Sequence, residues 1–202
     1  MLPSLPVSMT SRFVYPIFLA CLAATNTHSQ VRSLTLGIDV NSPYGIGEPW
    51  VIVREGLQRL EIVESMAPQP DKAAGTGELR PRDGQLPDLD MLAKALRDTG
   101  AGARLRGVEG TIDGELAREE NDFVLRISGT KTVLRLRPLT QLVQRNRQPT
   151  DDEKAAFQTL AAKWKGRPLQ VRVVGPLIKS VESKDTPRDR SPALEVRKFE
   201  LR

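Results

Sequence analysis

Apolar positions alternate from Ser33 to Val40, which predicts a strand. Asn41-Ser42-Pro43-Tyr44-Gly45 breaks the pattern, with Pro43 and Gly45 as turn residues. From about Glu48 to Leu60 the apolar spacing changes to that of a helix. Val53, Leu57 and Leu60 share one face, Trp50 begins the stripe, and Pro49 suits a first turn, where no amide hydrogen is needed. Ile62–Gln69 and Gly77–Pro81 predict two more strands, separated by a turn over Asp71–Gly77. A second helix over about Leu89–Thr99 carries Leu89, Leu92, Ala93 and Leu96 on one side, with Asp88 as its cap and Gly100 as its stop. Ala103–Val108 returns to extended structure. The order is β-α-β-β-α-β, and each helical stripe needs one face of the sheet for its burial.

Beyond Val108 the pattern becomes one of short strands. Gly107–Leu116, Asp122–Ser128 and Thr132–Leu136 are separated by Glu119-Glu120-Asn121 and Gly129-Thr130-Lys131, as in a meander. Thr150-Asp151-Asp152-Glu153 has the spacing of a capping box, and the helix it opens places Ala156, Phe157, Leu160, Ala161 and Trp164 on one side. Leu169–Val174 and Leu194–Phe199 are the last predicted strands. Arg145–Gln148 and Ser183–Ser191 read as mobile loops, the latter rich in charge and proline. Arg104–Gly110 has to end the first sheet and begin the second, and a single strand serving both would make the units a rigid pair.

Composition narrows the chemistry. Of 202 residues only 4% are aromatic, so the core rests on Leu, Val and Ile. The net charge of +5 favours weak attraction to anionic surfaces, but basic and acidic residues interleave along the chain. Cys21 and His28 are the only residues of their kinds, and both lie in the first 30 positions. The predicted folded part therefore offers no internal disulfide, no thiolate metal site and no histidine-dependent triad. Residues 1–30 have the outline of a targeting segment: Arg12 precedes the apolar run Phe13–Ala24, and cleavage near Ser29 fits. A lipid anchor at Cys21, after Leu19-Ala20, is the rival, and an unprocessed tail the third reading. The apolar run is short for a transmembrane span. The expected location is extracytoplasmic, periplasmic or secreted.

Residues 34–107 resemble the heavy-metal-associated domain of copper and mercury carriers. The similarity runs through Leu34–Val40, Asn41-Ser42-Pro43-Tyr44-Gly45, Val53–Ser65 and Leu92–Ala103. The resemblance implies a ferredoxin-like domain, with two metal-binding cysteines on the loop after the first strand. Those positions fall here on Ser42 and Gly45, so the soft-metal function is not implied with the fold. Residues 108–202 resemble OB-fold domains in strand order and in stretches such as Val108–Ile112 and Leu169–Gly175. The expected fold class is α+β: residues 1–30 as signal peptide or disordered N-terminus, 31–107 as a degenerate ferredoxin-like domain, and 108–202 as an OB-like barrel with one helix.

Candidate sites follow from these units. Ser42, Tyr44, Glu48 and Trp50 lie in or beside the carrier-like turn and are candidates for docking another protein, with Trp50 also suited to the core. Arg126, Arg135, Arg137 and Arg172 are candidates for an anionic chain, nucleic acid or acidic glycan, although the aromatics that would stack bases have core-like spacing. Asp39 and Glu48 allow a weak divalent-cation reading. The acidic residues Asp88 with Asp90, and Asp151-Asp152-Glu153, sit at helix starts, where negative charge is favourable without catalysis. Ser128-Gly129-Thr130-Lys131 and Gly45-Ile46-Gly47 lack the frame of a phosphate loop. The sequence thus predicts a non-catalytic module with no cofactor, whose partner is a protein; nucleic acid and soft metal are disfavoured.

Overall fold

The computed structural model describes residues 31–179 and 192–202; the predicted targeting segment with Cys21 and His28, and the predicted loop Ser183–Ser191, lie outside the described residues. The chain forms β1 (Val31–Val40), α1 (Trp50–Gln58), β2 (Val63–Met66), β3 (Thr76–Pro81), α2 (Leu89–Asp98) and β4 (Ala103–Glu119). There follow β5 (Asp122–Ile127), β6 (Val133–Pro138), α3 (Asp151–Lys163), β7 (Leu169–Ile178), β8 (Ala193–Val196) and β9 (Lys198–Leu201).

The first four strands lie in the order β2-β3-β1-β4, all neighbours antiparallel. Leu34, Leu36 and Ile38 of β1 are buried with Leu79 of β3, Trp50, Val53 and Leu57 of α1, and Leu92 and Leu96 of α2 in one core. The Trp50 indole lies over Gly77, where any Cβ would overlap the ring, and its Nε1 donates to the Pro68 carbonyl at 3.1 Å. Helix α1 starts at Trp50 rather than Glu48, because Gly45–Gly47 winds as a short 3-10 turn and Pro49 takes the cap position. The second strand stops at Met66, three residues before the predicted Gln69, since Pro68 and Pro70 bring no amide to the ladder. Helix α2 is capped as predicted: the Asp90 amide donates to the Asp88 carboxylate at 2.8 Å.

Strand β4 runs without interruption through the predicted boundary. Its first part pairs with β1, its last part pairs with β5, and β7 lines its other side over Val108–Leu116. From β4 the chain closes a five-stranded barrel, β4-β5-β6-β8-β7, in which β6 and β8 are parallel and the other pairs antiparallel. The fold is therefore α+β with a closed barrel, and β4 belongs both to the open four-stranded run and to the barrel of one nine-stranded sheet. Between β6 and β7, α3 packs on the barrel, held by Phe123 of β5, which meets Phe157 and Trp164 edge-on at 6.2 and 5.8 Å. The predicted last strand, Leu194–Phe199, is split at Arg197. The Arg197 amide donates to Val174 O at 2.9 Å, while Lys198 is the register partner of Val174, so two residues face one in a bulge.

The connector from β6 to α3 corrects the expectation of a mobile loop at Arg145–Gln148. The buried Glu195 carboxylate accepts from the Thr140 and Gln141 amides at 2.9 and 3.4 Å and from the Thr140 hydroxyl. Val143 is buried against Gly37, where a Cβ would come within 2.7 Å of its side chain and 2.8 Å of its carbonyl. The Arg145 amide donates to Ala74 O at 3.0 Å, and Arg147 donates to Glu153 at 2.7 Å. A segment that starts in the barrel is thus strapped across the first sheet. Polar backbone on such a strap needs partners, and these bonds supply them.

Candidate functional site

The Ser42–Ile52 segment is built as a fixed turn that presents apolar side chains. Ser42 Oγ accepts from the Tyr44 amide at 3.2 Å and donates to Glu48 Oε2 at 3.1 Å. Gly45 has φ of +64°, in the left-handed region, and Ile46 is buried beneath the turn. Ser42, Tyr44 and Glu48 are thus brought together. Trp50 is not part of this surface: it is 1% exposed, which corrects its place among the docking candidates and leaves it to the core.

Outward from Trp50 the helix shows two apolar residues that sequence reasoning did not single out. Val51 is 53% and Ile52 51% exposed, and Tyr44 is 73% exposed. These three, with Leu201, are the large hydrophobic side chains that the described residues leave open to solvent. The signal was present in the sequence: Trp50-Val51-Ile52-Val53 is a run of four apolar residues, and a helix with one buried stripe cannot hide all of them. Arg54 and Glu55 follow on the same helix, giving the apolar group a polar rim.

The four arginines proposed for an anionic chain are each engaged with carboxylates. Arg126 bonds Glu119 at 2.9 Å and faces Glu115 at 3.7 Å; Arg135 and Arg137 reach Asp122 at 3.7 and 3.1 Å. Arg172 donates to Asp113 at 2.6 Å, and Arg32 reaches the same carboxylate at 2.7 Å. Burial alone would raise the Asp113 pKa, but the bonds and charges of Arg172 and Arg32 hold it below the usual carboxylate range. The bond to Asp113 raises Arg172 in turn. Arg172 also faces Glu200 at 3.6 Å, so Arg32, Asp113, Arg172 and Glu200 form a ladder of alternating charge across β1, β4, β7 and β9. These four arginines each face carboxylates rather than an open basic groove.

Asp39 is likewise occupied. It pairs with Arg106, and accepts from Arg145 Nε and Nη2 at 3.0 and 2.5 Å. Its burial works to raise the pKa; the Arg145 and Arg106 bonds and charges outweigh that and lower it. A cation at Asp39 would have to displace two guanidinium groups, and Glu48 is turned toward Ser42 instead. Among the described residues no group of three or more His, Cys, Asp or Glu side chains is placed to hold a metal ion, and no helix is long and apolar enough to cross a membrane.

One cleft of about 610 Å³ opens between α3 and the bulged strand. Arg147, Arg197 and Lys198 line it with Asp152 and Glu153, over a floor that includes Ala155, Ala156 and Phe199. Beneath it runs a chain of charges. Arg197 bonds Glu109 at 2.5 Å and Glu153 at 3.1 Å, and Glu153 also takes Arg147 at 2.7 Å and the Thr150 amide at 3.1 Å. Thr150 Oγ1 accepts from the Glu153 amide at 3.3 Å, completing the predicted capping box. Burial opposes ionisation of Glu153, yet these donors lower its pKa to about 2. The sequence showed the cap but not the two arginines that converge on it.

Comparison of the chain with described protein families, with curated proteins and with solved structures finds no match.

Proposed function

We propose that this chain is a non-catalytic extracytoplasmic module that binds another protein through the Tyr44–Ile52 surface. The observation that carries this reading is the grouping of Tyr44, Val51 and Ile52, open to solvent within nine positions on a turn and helix that are otherwise well anchored. Exposed apolar groups with a polar rim are the usual signature of a protein contact. Loops on a stiff scaffold suit such a role, and the shared β4 and the strap from β6 to α3 supply the stiffness.

The sheet order β2-β3-β1-β4 with two connecting helices supports reading the first unit as ferredoxin-like, in outline a heavy-metal-associated domain that has kept the carrier turn without its sulfur ligands. The barrel's parallel β6–β8 pair, with α3 between its third and fourth strands, supports an OB-like reading of the second. The non-catalytic reading draws on the carboxylates with lowered pKa. Asp39, Asp113 and Glu153 are all clamped by arginines and held ionised, which suits structure better than proton transfer near neutral pH. The extracytoplasmic reading rests on Arg12 and the Phe13–Ala24 run. An OB-like binder of an anionic chain stands second because its candidate arginines are paired with carboxylates. Weak cation binding stands third because Asp39 is engaged.

A photo-crosslinking residue placed at Tyr44 or Ile52 in producing cells tests the reading. One discrete protein adduct from both positions, absent with the same probe at Glu61 and lost on Val51→Asp, is the expected result. Equal labelling from all three positions would refute it.

A further inference from the structure

One end of the barrel gathers cations that the fold leaves without partners. Arg118, near the end of β4, is exposed, with its guanidinium 5.8 Å from the centre of the Phe123 ring. Phe123 meets Trp164 edge-on, and Lys163 and Lys165 flank Trp164 where α3 ends. The β4–β7 register reaches Leu116 and Leu169; two positions further, Arg118 stands opposite Arg167. Arg118, Lys163, Lys165 and Arg167 are all exposed, and none has a carboxylate partner among the described residues. A cation in the last helical turn suits the helix dipole, which accounts for Lys163 but not for the other three.

The carboxylates at this end do not cancel that charge. Glu115 and Glu119 face Arg126, and Asp122 faces Arg135 and Arg137, so these acids are matched by as many guanidinium groups. Glu200 is shared by Arg172 and Arg202. Glu120, exposed in the turn after β4, is left to offset the four free cations, and a net positive face remains.

The surroundings select a lipid surface over a nucleic acid strand. The rings that would stack bases are engaged, since Phe157 and Trp164 both pack edge-on against Phe123. What is open instead is aliphatic. Strand β9 runs beside α3 in the same sense, because Arg197 bonds Glu153 and Phe199 borders the same cleft as Ala156 and Thr159. This course carries Leu201, 49% exposed, toward the C-terminal turn of α3. The chain also enters β1 from this side: Val31 pairs with Ile112, and β4 runs on from Ile112 to Arg118. The sequence before Val31 carries the apolar run Phe13–Ala24, expected to meet a membrane.

The geometry points to a membrane-contact face, in which Arg118, Lys163, Lys165 and Arg167 rest on the anionic headgroups of a phospholipid bilayer and Leu201 enters the interface beside them. Lysines on flexible stems suit a fluid layer of phosphates, which asks for positive charge rather than a fixed hydrogen-bonding fork. This face is separate from the Tyr44–Ile52 surface. Its access to lipid in the cell rests on the extracytoplasmic reading; its binding to vesicles does not.

The test is co-sedimentation of the full chain with two kinds of vesicle, phosphatidylcholine alone and phosphatidylcholine with an equal part of phosphatidylglycerol. The neutral vesicles read the contribution of the Phe13–Ala24 run. At low salt the chain is expected to partition at least about thirtyfold more strongly onto the anionic vesicles, a preference that fades as salt rises. Lys163→Gln with Lys165→Gln should weaken anionic binding about twentyfold, and Arg118→Gln about fivefold. Arg59→Gln with Arg97→Gln removes the same charge from exposed positions at the ends of α1 and α2, and should change binding less than about twofold. Tyr44→Ala should leave it unchanged. Equal partition onto both vesicles overturns the proposal. So does an equal loss from the two double variants, which would show net charge acting without a face. Oligothymidylate held more tightly than the anionic vesicles, through the same two lysines, overturns it as well.

Discussion

Asp39, near the end of the first strand, accepts two hydrogen bonds from Arg145, which lies 106 positions further along the chain. That pair, with Arg106 bonded to the same Asp39 Oδ1 and to the Val143 carbonyl, fastens the barrel's connector to the first sheet. Asp39→Asn keeps the shape but removes the charge that both guanidinium groups face. Because the carboxylate is about half exposed, solvent screens the pair, and a loss of about 1 kcal/mol is expected in urea unfolding. Amide exchange across Thr140–Arg147 should quicken more than in the barrel strands. Unchanged exchange there would show that the strap is held by other contacts.

Gly37 tests the same junction sterically. A methyl group there would press on the Val143 side chain and carbonyl, and the carbonyl is fixed by Arg106 at 2.9 and 2.7 Å. Gly37→Ala should cost about 1–3 kcal/mol, read as a lowered denaturant midpoint at constant slope.

Acid should loosen the α3 junction. The Glu153 pKa falls from an ordinary 4.5 to about 2 on folding, so the folded protein binds this proton less readily than the unfolded chain. Its stabilisation is fully present above pH 4.5 and is lost as pH falls toward 2. The full effect corresponds to about 3 kcal/mol. Unfolding curves between pH 6 and about 2.5 should show this slope, and Glu153→Gln should flatten it while lowering stability at neutral pH.

Single-stranded nucleic acid should not bind the barrel in a strongly salt-dependent way, because Arg126, Arg135, Arg137 and Arg172 already face carboxylates that a phosphate would have to displace. A salt titration with an oligonucleotide checks this: tight binding at low ionic strength that collapses as salt rises would restore the anionic-chain reading.

What could be read from the sequence was local. The Asp88 cap, the Thr150–Glu153 box and the stripes of α1 and α2 depend on residues within a turn or two, and they stand where expected. The features that shape the candidate sites join distant positions. Nothing near Arg145 announces Asp39, and nothing near Glu153 announces Arg197, 44 residues on. The arginines illustrate the same limit: their number was visible, but their carboxylate partners on neighbouring strands were not. Trp50 turned inward because Gly77 leaves space for its ring, a pairing that no spacing rule connects. Val51 and Ile52 were legible in principle, as the surplus of a four-residue apolar run.

The proposed docking at Tyr44–Ile52 is tested most directly by affinity capture from extracts of the producing cells, comparing wild type with Tyr44→Ala and with Ile52→Asp. The expected result is one reproducible protein partner whose recovery falls about tenfold or more with each substitution, while both variants unfold at wild-type denaturant concentrations. A partner retained equally by all three forms, or no reproducible partner, would contradict it.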